Sequence, residues 1–104
     1  GAPVKHKVAE IRQLIRMDPT RRFILVGDSG QGDPEIYAQI ARKFPGRIAW
    51  VWIRELGGAG ADAPRYEKAF GGGVVEGWGV YRTGRELTAW RGPVGEFEVS
   101  KIQV

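Results

Sequence analysis

Apolar positions recur at helical spacing near the start of the chain, where Val8, Ile11, Leu14 and Ile15 are separated by Lys7, Glu10, Arg12, Gln13 and Arg16. That spacing predicts an amphipathic helix over residues 5 to about 17, stopped by Asp18-Pro19. After Arg21-Arg22 the pattern becomes a short continuous run, Phe23-Ile24-Leu25-Val26, apolar on both faces as strands of parallel sheets are. A polar loop, Gly27 to Gly32, follows. Asp33-Pro34-Glu35 then opens a second helix, with an N-cap aspartate, proline at the first helical position and an acid in the first turn. Ile36, Tyr37, Ile40 and Phe44 mark its buried stripe, and Pro45-Gly46 closes it. Arg47 to Leu56, RIAWVWIREL, reads as a second buried strand, in which Trp50 and Trp52, like Tyr37 before them, are expected to pack in the core. Helices and strands alternating over short connections imply an α/β fold with a parallel sheet and right-handed crossovers.

Past Leu56 the texture changes: residues 57–104 hold 11 of the 16 glycines, including the GGAG and GGG runs. The sequence RYEKAF predicts one or two helical turns. VVEGWGVY, ELTAW and FEVSKIQV read as short strands, the first two joined around Thr83-Gly84, which gives a β-hairpin tail. The chain therefore divides at Leu56 into residues 1–56 and a glycine-rich tail, 57–104. Its 104 residues suit one small domain, and 42% apolar with 27% charged residues is an ordinary globular balance with no run long enough to cross a membrane. With no cysteine and His6 as the single histidine, disulfides, thiolate metal sites and multi-histidine centres are excluded. The N-terminus has no apolar signal-peptide core, and a cytoplasmic location is expected. A net charge of +4 favours anionic partners, but the basic residues are dispersed and do not interleave with the tryptophans on one face, so nucleic acid is not expected.

Candidate chemistry lies in the loop. In open parallel sheets ligands gather outside the carboxyl ends of strands, and Asp28 and Asp33 stand there. Two carboxylates bracketing a tight loop offer hard oxygen ligands for Mg²⁺, which is commonly held by one or two carboxylates, water and substrate phosphate. Ser29, Gly30 and Gly32 are small enough for backbone N–H groups to face an anion beside the coming helix start. The residues alone leave a second reading open, in which Asp28 ends a strand and Asp33 caps a helix.

Gly-Asp, four residues, Asp at the end of a buried strand resembles the fourth motif of the haloacid-dehalogenase superfamily. The string from His6 through GDSGQ and DPEIY to Ile53-Arg54-Glu55 resembles more closely the catalytic domain of actin-patch-associated phosphatidate phosphatases and their bacterial relatives, over residues 6–55. The resemblance implies half of a Rossmann-like haloacid-dehalogenase domain and Mg²⁺-dependent hydrolysis of phosphatidate or another phosphomonoester. It makes Asp28 and Asp33 the Mg²⁺ site, Lys7, 21 residues before Asp28, the catalytic cation facing phosphate, and Ser29 and Gly30 the lining of the phosphate loop. Arg54 would touch an anionic headgroup or pair with Glu55 or a neighbouring acid.

The superfamily's nucleophile and general acid/base are two aspartates one residue apart, whereas the aspartates here are Asp18, Asp28, Asp33 and Asp62. The nearest acidic pair, Glu96 and Glu98, reads as the solvated side of an edge strand. The resemblance therefore implies the carboxyl-terminal portion of a phosphatase domain, inactive alone, with a phosphorylated small molecule or lipid headgroup as ligand and the missing half-domain or a second chain as partner. The rival is a non-catalytic anion- or partner-binding module using Lys7, the loop, Arg21, Arg22 and Arg47. The tail does not resemble the helix and strand that relatives place next. An extension, a graft and a shifted reading frame are its open explanations, and the last predicts poor packing beyond Leu56.

Overall fold

Helix α1 spans Ala2–Met17 and turns Ile11 and Ile15 inward, as the spacing predicts. The computed structural model describes residues 2–58, 60, 63–88 and 97–101. After α1 come β1 (Arg22–Asp28), a 3₁₀ turn (Ser29–Gln31), α2 (Asp33–Lys43), β2 (Ile48–Arg54), α3 (Pro64–Phe70), β3 (Gly77–Tyr81), α4 (Gly84–Thr88) and β4 (Phe97–Lys101). The strands form one sheet in the order β3-β2-β1-β4, with every pairing parallel.

The period of two along each strand sorts side chains between the faces. Phe23, Leu25, Val51 and Ile53 join Ile11 and Ile15 of α1, Tyr37 and Ile40 of α2, and Tyr66 and Phe70 of α3 in one core. Opposite it, Asp28 is in register with Arg54 and Arg54 with Tyr81, while Trp50 and Trp52 stand beside Gly77 and Gly79. Tyr37 is a core residue as expected, but Trp50 and Trp52 are half-buried on the far face. A Cβ at Gly77 or Gly79 would collide with the Trp50 or Trp52 ring, so these glycines make room for the indoles rather than loosening the strand.

The sheet and core continue past Leu56. Tyr66, Ala69 and Phe70, at spacing i, i+3, i+4, bury one face of α3, and the Trp78 ring packs at 6.0 Å from Tyr66 and 5.7 Å from Phe70. The expected hairpin is absent: β3 runs parallel to β2, and Thr83-Gly84 leads into α4. The cause is a capping interaction. The Glu86 carboxylate accepts the backbone N–H groups of Arg82 (2.6 Å) and Thr83 (3.0 Å), the acid half of a Thr-x-x-Glu capping box. Ala89 and Trp90 of the expected second strand, like Glu96, lie outside the described residues. The strand expected in FEVSKIQV is β4, on the open side of β1. Among the described residues no helix is long and apolar enough to cross a membrane.

Candidate functional site

The carboxyl end of β1 is tied to the starts of α1 and α2 by one aspartate. Asp33 is the first residue of α2, whose N-cap is Gly32 in the left-handed region (φ 73°), so the Asp33 side chain does not cap its own helix. Instead its Oδ1 accepts Lys7 Nζ at 2.6 Å and its Oδ2 accepts the backbone N–H of Asp28 at 2.8 Å. Both partners of this ion pair are interior, Lys7 being 3% and Asp33 1% exposed. Gly27 makes the approach possible. A Cβ there would collide with the Asp33 carboxylate and lie 2.6 Å from the Tyr37 hydroxyl. Tyr37 donates to the Val26 carbonyl at 3.0 Å, and burial, reinforced by the charges of Asp33 and Asp28, pushes its hydroxyl far above the usual phenol range.

Asp28 is arranged differently. Its side chain is half-buried, and Oδ1 accepts the Gly30 N–H at 2.9 Å. Among the described residues Oδ2 has no hydrogen-bond partner. Arg54, exposed at the end of β2, stands in register with Asp28 and forms no ion pair with a described residue. The expected Arg54–Glu55 pair does not form, since successive residues at a strand end face opposite ways.

Glu55 turns instead toward the helices and is 9% exposed. It accepts the Tyr66 hydroxyl on Oε1, and Ser29 Oγ (3.1 Å) and the Gly57 N–H (2.7 Å) on Oε2. The Tyr66 bond, then the Gly57 bond, holds its carboxyl below the usual range. Burial, then the same Glu55 bond, pushes the Tyr66 hydroxyl up to about 12. Ser29 Oγ also accepts the Leu56 N–H at 2.9 Å. Arg65 donates to the Ser29 carbonyl at 3.1 Å and is forked against Glu35 at 2.7 and 3.2 Å.

The structure therefore gathers Lys7, Asp28, Ser29, Gly30 and Asp33 at one end of the sheet and divides their work. Asp33 has both oxygens engaged and Lys7 is neutralised beside it. The Ser29 hydroxyl is bonded to Glu55 and Leu56, and the Gly30 N–H to Asp28. Asp28 is the carboxylate with an oxygen to spare. Arg21, Arg22 and Arg47, which the binding-module reading grouped with the loop, lie at the other end of the strands. Tyr66 and Arg65 were not singled out from sequence, and Glu55 was named only as the end of the family-like string and as a partner for Arg54. Strand alternation, which sets Glu55 apart from Arg54, was the signal available for Glu55. Among the described residues no three His, Cys, Asp or Glu side chains form a group able to hold a metal. One open, hard carboxylate oxygen nonetheless fits the habit of Mg²⁺, which keeps several waters and takes one or two carboxylates.

Residues 1–55 match the family model for the catalytic domain of phosphatidate phosphatase APP1. The Saccharomyces cerevisiae phosphatidate phosphatase APP1 is 36% identical over 62 residues, 60% of this chain and 11% of that protein. An uncharacterized Schizosaccharomyces pombe protein is 38% identical over 50 residues, 48% of this chain and 8% of that protein. The chain thus spans about a tenth of the length of these curated relatives. No solved structure matches it. With more than half of its length covered by the family model, the chain belongs to the phosphatidate phosphatase APP1 catalytic-domain family.

Proposed function

We propose that this chain carries the Mg²⁺-side half of a phosphomonoester phosphatase site of the haloacid-dehalogenase kind. The observation that supports the reading most is the contrast at the end of β1: a buried Lys7–Asp33 pair with both Asp33 oxygens engaged, beside a half-buried Asp28 whose Oδ2 has no described partner. Asp28 holds the metal, directly or through water, and Asp33 fixes the Asp28 backbone from behind. Lys7 acts through Asp33, offsetting the negative charge beneath the site. Bound Mg²⁺ supplies charge neutralisation of the phosphoryl oxygens. Arg54, level with Asp28 and exposed, faces the phosphate as a further cation.

The substrate class is a phosphomonoester dianion, and the yeast relative's name makes phosphatidate the first candidate. The attacking carboxylate comes from polypeptide outside these residues, since no two aspartates here are separated by one residue. Two measurements on the 104-residue chain test the reading. With a chromogenic aryl phosphate and Mg²⁺ it is expected to show no turnover. With Mg²⁺ present, inorganic phosphate is expected to shift the amide resonances of Asp28 to Gly30 and of Arg54, and Arg54→Gln to weaken that binding about tenfold. Turnover that disappears in Asp28→Asn would overturn the half-site claim. Phosphate shifts confined to the Arg21–Arg47 end would overturn the location.

A further inference from the structure

The family match ends at Glu55, yet the loop that carries Asp28 is held from beyond it. Ser29, the residue after Asp28, is gripped at two atoms. Its hydroxyl lies between the Glu55 carboxylate and the Leu56 N–H, and its carbonyl accepts Arg65. Glu55 is itself fixed by the Tyr66 hydroxyl and the Gly57 N–H, so one interior carboxylate joins the turn after β1, the turn after β2 and helix α3. Arg65 adds a second tie, because its fork to Glu35 joins α3 to the first turn of α2. Asp28 is thereby held on both sides, its N–H by Asp33 and its successor by Glu55 and Arg65. A site must be held to within about 0.5 Å to hold its geometry, and the groups that orient ligands commonly control affinity as strongly as the ligands do.

We propose that Glu55 is the positioning residue of the Asp28 loop, acting with Tyr66 and Arg65 of α3, so that the segment beyond the family match completes the candidate cation site. The effect on Mg²⁺ rests on the functional reading above, whereas the clamp on the loop stands without it.

The test uses the whole chain with Glu55→Gln, Tyr66→Phe and a control, Phe70→Leu, which weakens the packing of α3 without touching the loop. ¹⁵N relaxation without metal reads the backbone order of Ser29 and Gly30, and a Mg²⁺ titration follows the same resonances. In Glu55→Gln and Tyr66→Phe the order parameters of Ser29 and Gly30 are expected to fall from about 0.85 to below about 0.6, with those of Leu25 and Val51 unchanged. Mg²⁺ affinity is expected to fall about tenfold in both, while Phe70→Leu lowers the unfolding midpoint and leaves order and affinity alone. Loop order unchanged in both clamp variants, or lost equally in Phe70→Leu, overturns the proposal. So does a loosened loop with unaltered Mg²⁺ affinity. Loosening in a chain whose parent form shows no Mg²⁺ response upholds the clamp and overturns the metal reading instead.

Discussion

At the amino ends of β1 and β2, Arg47 donates to the carbonyls of Arg21 (2.6 Å), Ile15 (3.0 Å) and Asp18, and Arg21 pairs with Asp18 at 2.9 Å. Arg22 pairs with Glu76 ahead of β3. At the carboxyl ends of the same strands Lys7 and Asp33 pair in the interior, and Asp28 and Arg54 remain at the surface without a described ionic partner. Both ends are built on basic and acidic side chains. At the amino end the guanidinium closes the last turn of α1, where unsatisfied carbonyls and the negative end of the helix dipole favour a cation. At the carboxyl end the protein neutralises one carboxylate completely and leaves its neighbour unfinished. At the amino end Arg47 meets backbone carbonyls, whereas at the carboxyl end one Asp28 oxygen is left without a described partner, and the proposed cation site rests on that difference.

The largest expected effect separates the two ends by stability. Lys7→Ala leaves the Asp33 carboxyl without its partner in the interior, so unfolding in urea should show a loss of about 3–5 kcal/mol, most of it recovered by pairing Lys7→Met with Asp33→Asn. A loss below about 1 kcal/mol would mean the pair behaves as a surface one. Next, Arg47→Ala removes a charged donor from three carbonyls and should cost about 2 kcal/mol, while the response of Asp28 to Mg²⁺ is unchanged. A weakened Mg²⁺ response in that variant would break the comparison, because the two ends would then not be independent.

The smallest effect is in acid. Hydrogen bonds from Tyr66 and then Gly57 set the Glu55 carboxyl below its ordinary value of 4.5. A folded value below the unfolded one means the contribution is full above about pH 4.5 and is lost as pH falls through the folded value. Stability should therefore decline on acidification, and the decline should be shallower in Glu55→Gln. Equal slopes in the two chains would show that the Tyr66 and Gly57 bonds do not favour the ionised form.

What could be read from sequence follows from how local the cause is. α1, β1, α2 and β2 carry their own periodicity, and each lies where Ile11 and Ile15, the FILV run, Tyr37 and Ile40, or the alternation through Val51 and Ile53 would place it. Helix α3 and strand β3 were legible as helical turns in RYEKAF and a strand in VVEGWGVY, but the parallel pairing of β3 with β2 was not, because it rests on contacts between distant segments. The role of Gly77 and Gly79 had no local sign, because the indoles they admit come from another strand. The place of the candidate site was legible, its bonding was not. Spacing puts Asp28 and Asp33 on the rim of a strand, but their different hydrogen bonding depends on Lys7, 26 residues before Asp33, and on a missing Cβ at Gly27. The clamp by Glu55 and Tyr66 is likewise a contact between distant segments.

The central claim is that Asp28 alone of the two carboxylates is open to a cation. A Mg²⁺ titration of the 104-residue chain, followed by amide shifts, tests it most directly. The account predicts saturable shifts beginning at Asp28 to Gly30, with an affinity of about 1 mM as befits a site built on one open carboxylate, and their disappearance in Asp28→Asn with the fold intact. Resonances of Asp28 to Gly30 that stay fixed up to about 30 mM Mg²⁺, or that shift as much in Asp28→Asn as in the parent chain, would contradict it.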